Sequence, residues 1–248
     1  LDLATGKSIT TTAAANSGTS SGGINVSTTG TINLVGDLVT TGAANNNGNG
    51  SDGGQVLLIS TGSSITLDGD ITASGGASTG GNGDGGDGGP ITTQSASLIT
   101  KAQDVVADGA VKHGGGNDGA GGSITFKADT FNFGTALSNI DAKGNGTGAD
   151  GSVDFNQKTN TQNITVNAAF VTQIGNIDVD AGNITIGRTD TTSGDISIAS
   201  ALDVTLISGS LSLLGGGSST ITDAAQVQAD ALKVASGSGD ITLDTTNN

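Results

Sequence analysis

Residues 65–93 read ITLDGDITASGGASTGGNGDGGDGGPITT, and the order of their parts decides the fold. A short apolar alternation (Ile65, Leu67) leads into Asp70-Ile71-Thr72-Ala73-Ser74-Gly75, then a tract of Gly, Ser, Asn and Asp, then Gly88-Gly89-Pro90-Ile91-Thr92-Thr93. All three phrases recur on either side. The Asp70 phrase returns as Asp37-Leu38-Val39, Asp104-Val105-Val106 and Asn139-Ile140-Asp141, at steps of 33, 34 and 35 residues. The Gly-Gly phrase returns around Val56, Ile124 and Val153. The first alternation returns as Ile32/Leu34, weakly at Leu98, and as Phe131/Phe133. Each repeat therefore holds three brief segments of period two, and each offers one or two inward apolar residues.

Strands this short have no independent stability. They gain it when each repeat forms one coil and successive coils pair strand on strand at about 4.8 Å. The expected fold is all-β, a right-handed parallel β-helix (β-solenoid) with three short strands per coil. One wall is expected from Ile24, Val56, Ile91, Ile124 and Val153, and another from Leu38, Ile71, Val105 and Ile140. The tracts Gly42 to Gly54, Gly75 to Gly89, Gly109 to Gly122 and Gly144 to Gly151 follow the same strand in successive coils. They are expected to project from one corner as a ridge of loops outside the coil, so that removing five residues between Gly76 and Gly88 costs little. Residues 1–155 form these long coils of about 30–35 residues. Residues 156–248 are expected to continue the solenoid in compact coils of about 20, including Gly175-Asn176-Ile177-Asp178-Val179, Leu202/Val204/Leu206 and Gly239-Asp240-Ile241. Nine coils in all would make a rod on the order of 40 Å long.

Composition agrees with a thin aliphatic core. The 248 residues include 44 Gly and one Pro, where an average chain of this length carries roughly 17 and 12. Cys, Met, Trp and Tyr are absent, five Phe are the only aromatics, and all 23 acidic residues are Asp. The net charge of −15 rests on only eight basic residues, too few to track a phosphate backbone, so nucleic acid is not an expected partner. No apolar run approaches the roughly 20 residues of a membrane-spanning helix. The chain starts at Leu1 with no basic, apolar leader, which reads as a processed product or a piece of a longer chain.

Runs such as ITASGG, the Gly/Asn/Asp tract, GGSITF, GNITI, GDISI and SGSLSL resemble the repeats of large bacterial exoproteins of the filamentous-haemagglutinin and autotransporter-adhesin type. The resemblance covers nearly the whole chain. It implies a right-handed parallel β-helix, secretion across an outer membrane, an extracellular or cell-surface location, and a role in adhesion or matrix building.

No reactive constellation stands out. Asp84, Asp87 and Asp118, in the Gly-rich tracts, are the candidates for a loop cation, calcium by ligand type. The tract around Asp84 misses the register of the calcium-binding nonapeptide, so these residues read first as solvated and no cofactor is required. Paired carboxylates for sugar chemistry are limited to Asp178/Asp180 and Asp68/Asp70, with no aromatic shelf beside them. The single His113 reads as an exposed loop residue, and outward positions such as Asn25, Thr72, Thr125 and Asp154 are too mixed for an ice-binding lattice. The expectation is a non-enzymatic structural rod, an adhesin shaft or matrix component meeting host or matrix surfaces. Neither Leu1-Asp2-Leu3 nor Ile241-Thr242-Leu243-Asp244 looks like a cap, which raises the alternative of a fibre protomer stacking head to tail. A carbohydrate-binding or polysaccharide-degrading β-helix is the third reading.

Overall fold

The structure is a computed structural model and describes residues 1–132, 139–157, 164–166, 179–180, 183–188, 195–198, 202–203, 210–229 and 231–243. Among these the chain forms strands and no helix. After β1 (Asp2–Leu3) and β2 (Ser8–Thr10), the first complete coil is β3 (Ile24–Thr28), β4 (Ile32–Leu34) and β5 (Asp37–Val39). The next is β6 (Val56–Ser60), β7 (Ile65–Leu67) and β8 (Ile71–Thr72). It is followed by β9 (Ile91–Ser95), β10 (Leu98–Lys101) and β11 (Val105–Val106), then by β12 (Ser123–Ala128), β13 (Thr130–Asn132) and β14 (Ile140–Asp141). Beyond these lie β15 (Ser152–Gln157), β16 (Ile164–Val166), β17 (Val179–Asp180), β18 (Asn183–Gly187), β19 (Ile196–Ile198), β20 (Leu202–Asp203), β21 (Ser210–Leu214), β22 (Ile221–Asp223), β23 (Val227–Gln228), β24 (Leu232–Ala235) and β25 (Ile241–Thr242).

Every strand pairs in parallel with its counterpart one coil away, which makes the molecule a β-solenoid. The longest sheet runs β3-β6-β9-β12-β15-β18-β21-β24. A second runs β1-β4-β7-β10-β13, and a third β2-β5-β8-β11-β14-β17. The later coils use a fourth sheet, β16-β19-β22-β25, and the pair β20-β23. The longest sheet thus has eight strands, where nine coils were expected; at about 4.8 Å each they still give a rod on the order of 40 Å. The register step along it shortens from 31 residues (Val153 to Ile184) through 27 (Ile184 to Leu211) to 21 (Leu211 to Leu232).

Period-two alternation puts both expected walls inside. Ile24 is 6% exposed, and Val56, Ile91, Ile124, Val153, Leu38, Ile71, Val105 and Ile140 are fully buried. Identical positions pair coil on coil, as in Val56 with Ile91 and Ile91 with Ile124, so each apolar side chain packs on its own repeat mate. Further along the axis the stack turns aromatic: Phe126 stacks on Phe155 at 5.5 Å and Phe131 meets Phe155 edge-on at 5.9 Å.

One position departs from expectation. In β10 the inward residue is Ile99, in register with Ile65 and Phe131, while Leu98 is half-buried on the other face. The reason is that Lys101 occupies the inward place held by Leu67 in the preceding coil, so the alternation loses one of its two apolar markers. Phe133, Gly175 to Asp178, Val204, Leu206 and Asp244 lie outside the described residues.

Candidate functional site: the glycine-rich ridge

The Gly-rich tracts leave the third sheet, turn, and return to the longest sheet, so they share one corner in successive coils. They do not hang outside the fold. The two arms of a tract bond to each other: Gly54 N donates to Thr40 O (2.7 Å) and Ser51 N to Ala43 O (3.1 Å), and the next coil repeats this with Gly89 to Ala73 and Gly86 to Gly76. Each arm also bonds to its equivalent one coil on, Gly42 N to Ser74 O (2.8 Å) and Asn45 N to Ala77 O (2.9 Å) outward, Gly50 N to Asp84 O and Gly53 N to Asp87 O (both 2.8 Å) on the return. A third set runs diagonally, Gly76 N to Ser51 O (2.7 Å), Ala110 N to Gly86 O (2.9 Å) and His113 N to Gly83 O (3.0 Å).

Within each set the bonds recur every third residue, the period of a polyproline II chain. Chains of that period point successive amides in three directions, so an arm bonds to neighbours on three sides, where a strand bonds on two. No room is left for side chains. A Cβ at Gly50 would strike Gly76 O, one at Gly76 would strike Ala43 O, and one at Gly86 would strike Ser51 O. Close backbone approach, more than turn conformation, is what requires glycine here. It also overturns the expectation that residues 76–88 can be shortened cheaply, because any deletion there breaks bonds to two neighbouring coils.

The outward Asp and Asn side chains finish the lattice. Asp37 Oδ1 accepts from Asp70 N (3.1 Å), Asp70 Oδ1 from Asp104 N (3.1 Å), and Asp104 Oδ1 from Asn139 N (2.7 Å). A second ladder runs Asn49 Oδ1 to Asp84 N (2.9 Å) and Asp84 Oδ1 to Asn117 N (2.6 Å), and a third Asp52 Oδ1 to Asp87 N (3.0 Å) and Asp87 Oδ1 to Ala120 N (2.8 Å). In each rung a side chain reaches one coil along the axis, a span that Asp and Asn match and that Glu, longer by a methylene, meets only by buckling. The rung length gives a physical reason for the absence of Glu from the sequence.

The three cation candidates are accounted for in these terms. Asp84 and Asp87 sit on separate ladders, each with an oxygen on a backbone N–H. Asp118 accepts from Lys112 N (3.2 Å), Thr147 N (3.0 Å) and Thr147 Oγ1 (3.1 Å), and lies 3.6 Å from Lys112 Nζ. The N–H of Thr147, then that of Lys112, hold the Asp118 carboxyl below the ordinary aspartate range. These residues are ridge fasteners, and they are not brought together. Among the described residues no group of three or more His, Cys, Asp or Glu is arranged to hold a metal ion.

No family model, curated protein or solved structure matches the chain.

His113 is exposed, but its Nδ1 is 2.7 Å from Gly81 O, which ties the ridge tip to the preceding coil. Of the carboxylate pairs, Asp70 is engaged in its ladder and Asp178 lies outside the described residues. The outward row of the longest sheet reads Asn25, Leu57, Thr92, Thr125, Asp154, Thr185, Ser212, Lys233, aligned by register and irregular in chemistry.

Sequence reasoning missed one residue. Lys101 is fully buried beside the second corner, and burial lowers its amine from 10.5 to about 8, against the raising influence of Asp104, Asp141 and Asp70. The signal was the alternation itself, since Ile99 inward places Lys101 inward too.

Proposed function

We propose that this chain is a structural rod of a bacterial surface or secreted exoprotein, a non-enzymatic adhesin shaft or matrix component that supplies reach and stiffness and presents the ridge. The observation that carries this reading is the engagement of the ridge carboxylates. Asp84, Asp87 and Asp118 hold successive coils together through backbone N–H groups, which is the work of a stiffener. Parallel pairing in every sheet supports it, since it makes the axial direction continuous. The resemblance of the repeats to large exoproteins supports the extracellular setting. A screen against polysaccharides tests the non-enzymatic part: no turnover is expected, and turnover abolished by one Asp substitution would overturn it.

A second reading, a protomer that stacks end to end, is favoured by one observation. Ile241 is 46% exposed although its partner one coil back, Ile221, is fully buried, and Leu232 is 40% exposed over buried Leu211. One further layer is what these side chains lack, whether it comes from more of the same chain or from another copy. Electron microscopy of the native material separates the readings. Filaments with an axial repeat near 40 Å, the rod length set by the strand spacing, would mean copies stacked end to end. Isolated rods, or rods attached to a larger chain, are expected for a shaft.

A further inference from the structure

The ridge tips carry four Asn-Gly pairs, at Asn47, Asn49, Asn82 and Asn145. Glycine after asparagine leaves the following amide nitrogen unhindered, so that it can attack the side-chain carbonyl carbon. Whether it does so in a folded chain depends on whether the asparagine amide and that nitrogen are already engaged.

We propose that Asn47-Gly48 is a site of spontaneous deamidation and that Asn49-Gly50, two residues away, is held inert by the next coil. Asn47 is exposed; among the described residues its side-chain amide has no hydrogen-bond partner, and the Gly48 N–H has none either. Ser78 Oγ donates to Gly48 O (2.9 Å), which leaves the N–H side of that peptide open. A methyl group placed on Gly48 would meet only Asn45 Nδ2, at 3.6 Å, so the backbone has room to turn. Asn49 is also exposed, yet all its reacting groups are taken. Its Oδ1 accepts from Asp84 N (2.9 Å), its Nδ2 donates to Asp84 Oδ2 (3.3 Å), and Gly50 N donates to Asp84 O (2.8 Å). Attack at Asn49 requires breaking these bonds together. By the same criteria Asn145 falls with Asn47. Asn82 falls with Asn49, because its Oδ1 accepts from Gly115 N (3.2 Å) and Gly83 is buried.

In the reaction Gly48 N bonds to Asn47 Cγ and gives up its proton to solvent. The bond from Cγ to the side-chain nitrogen breaks and ammonia leaves. Water then opens the five-membered imide at either carbonyl, giving aspartate or isoaspartate. The net change is one amide and one water converted to one carboxylate and one ammonium ion. Each event adds a negative charge to the tip of a ridge whose chain already carries −15. At Asn49 the same change would set a carboxylate against that of Asp84, so the lock also protects the ladder.

The test is incubation of the folded protein at mildly alkaline pH, beside the same protein unfolded in urea, followed by peptide mapping with fragmentation that separates residues 47 and 49. In the folded protein Asn47 is expected to convert severalfold faster than Asn49, with the two at parity when unfolded. Equal rates in the folded protein, or no conversion at Asn47 while the unfolded chain converts, would overturn the proposal. Asp84→Ala, checked for retained strand signal, is expected to raise the Asn49 rate toward that of Asn47; an unchanged Asn49 rate in that folded variant also counts against the lock.

Discussion

Between residues 24 and 157 every coil stacks on its neighbours in two regions, by opposite means. In the three-sheet body, Ile, Leu, Val and Phe fill the interior, and each fully buried side chain of this kind contributes about 1.5–3 kcal/mol over leaving it in water. In the ridge there is almost no side chain to bury, and the coils are joined by backbone amides and Asp/Asn rungs, each hydrogen bond contributing about 1 kcal/mol net. The axial spacing is common to both because the same chain runs through them. The body tolerates no loss of bulk and no charge; the ridge tolerates no gain of bulk. One fold is thus specified by side chains in its body and by their absence at one corner.

The largest expected effect is in the body. Ile124→Asp leaves a carboxylate in a fully buried apolar stack and is expected to cost about 4 kcal/mol, read as a fall in the urea midpoint. Lys101 gives the next effect. Its amine is lowered to about 8 in the folded chain. Below that pH both states are protonated and the full cost of burying the charge is present. Between pH 8 and 10.5 the unfolded chain holds a proton the folded chain has lost, so stability should rise by about 3 kcal/mol and then level off. Lys101→Met should abolish that rise; a slope that survives the substitution would place its origin elsewhere.

The ridge supplies a sharper contrast at smaller magnitude. Gly86→Ala puts a methyl against Ser51 O and is expected to cost about 2 kcal/mol, whereas Gly48→Ala, with open surroundings, should stay within about 0.5 kcal/mol. Equal melting temperatures for the two variants would mean the ridge is not close-packed, and the contrast between regions would fail. The smallest effect concerns acid. Because Asp118 is held below the ordinary aspartate range, its contribution is present above the unfolded value and is lost as pH falls through the lowered one. Asp118→Ala should therefore remove the most acidic part of the stability loss in a circular dichroism titration and leave the neutral-pH value nearly unchanged.

Much of the body was legible because its signal is local. An inward residue must be apolar and its neighbours need not be, so Ile71, Val105 and Ile140 announce their wall within a few residues of sequence. Leu98 misled because Lys101 removed one marker from a strand with only two inward places. The ridge carbonyls and amides, by contrast, meet partners about 35 residues away through glycine, which has no side chain to vary. Asp84, Asp87 and Asp118 were visible as acidic residues in loops, but their role was not, since a rung is defined by the backbone N–H it reaches. A trace was present in the exclusive use of Asp over Glu, and in Asn49, Asp84 and Asn117 recurring about one coil apart.

The coil, its length and the apolar residues that line it follow from the order of residues alone, because period-two burial is written along each strand. That the glycine tracts are a bonded lattice, that the aspartates are rungs and that Lys101 points inward emerged only when the coils were stacked. Those outcomes depend on which backbone groups are left unpaired when one coil settles on the next, a quantity set by stacking and not by any single coil.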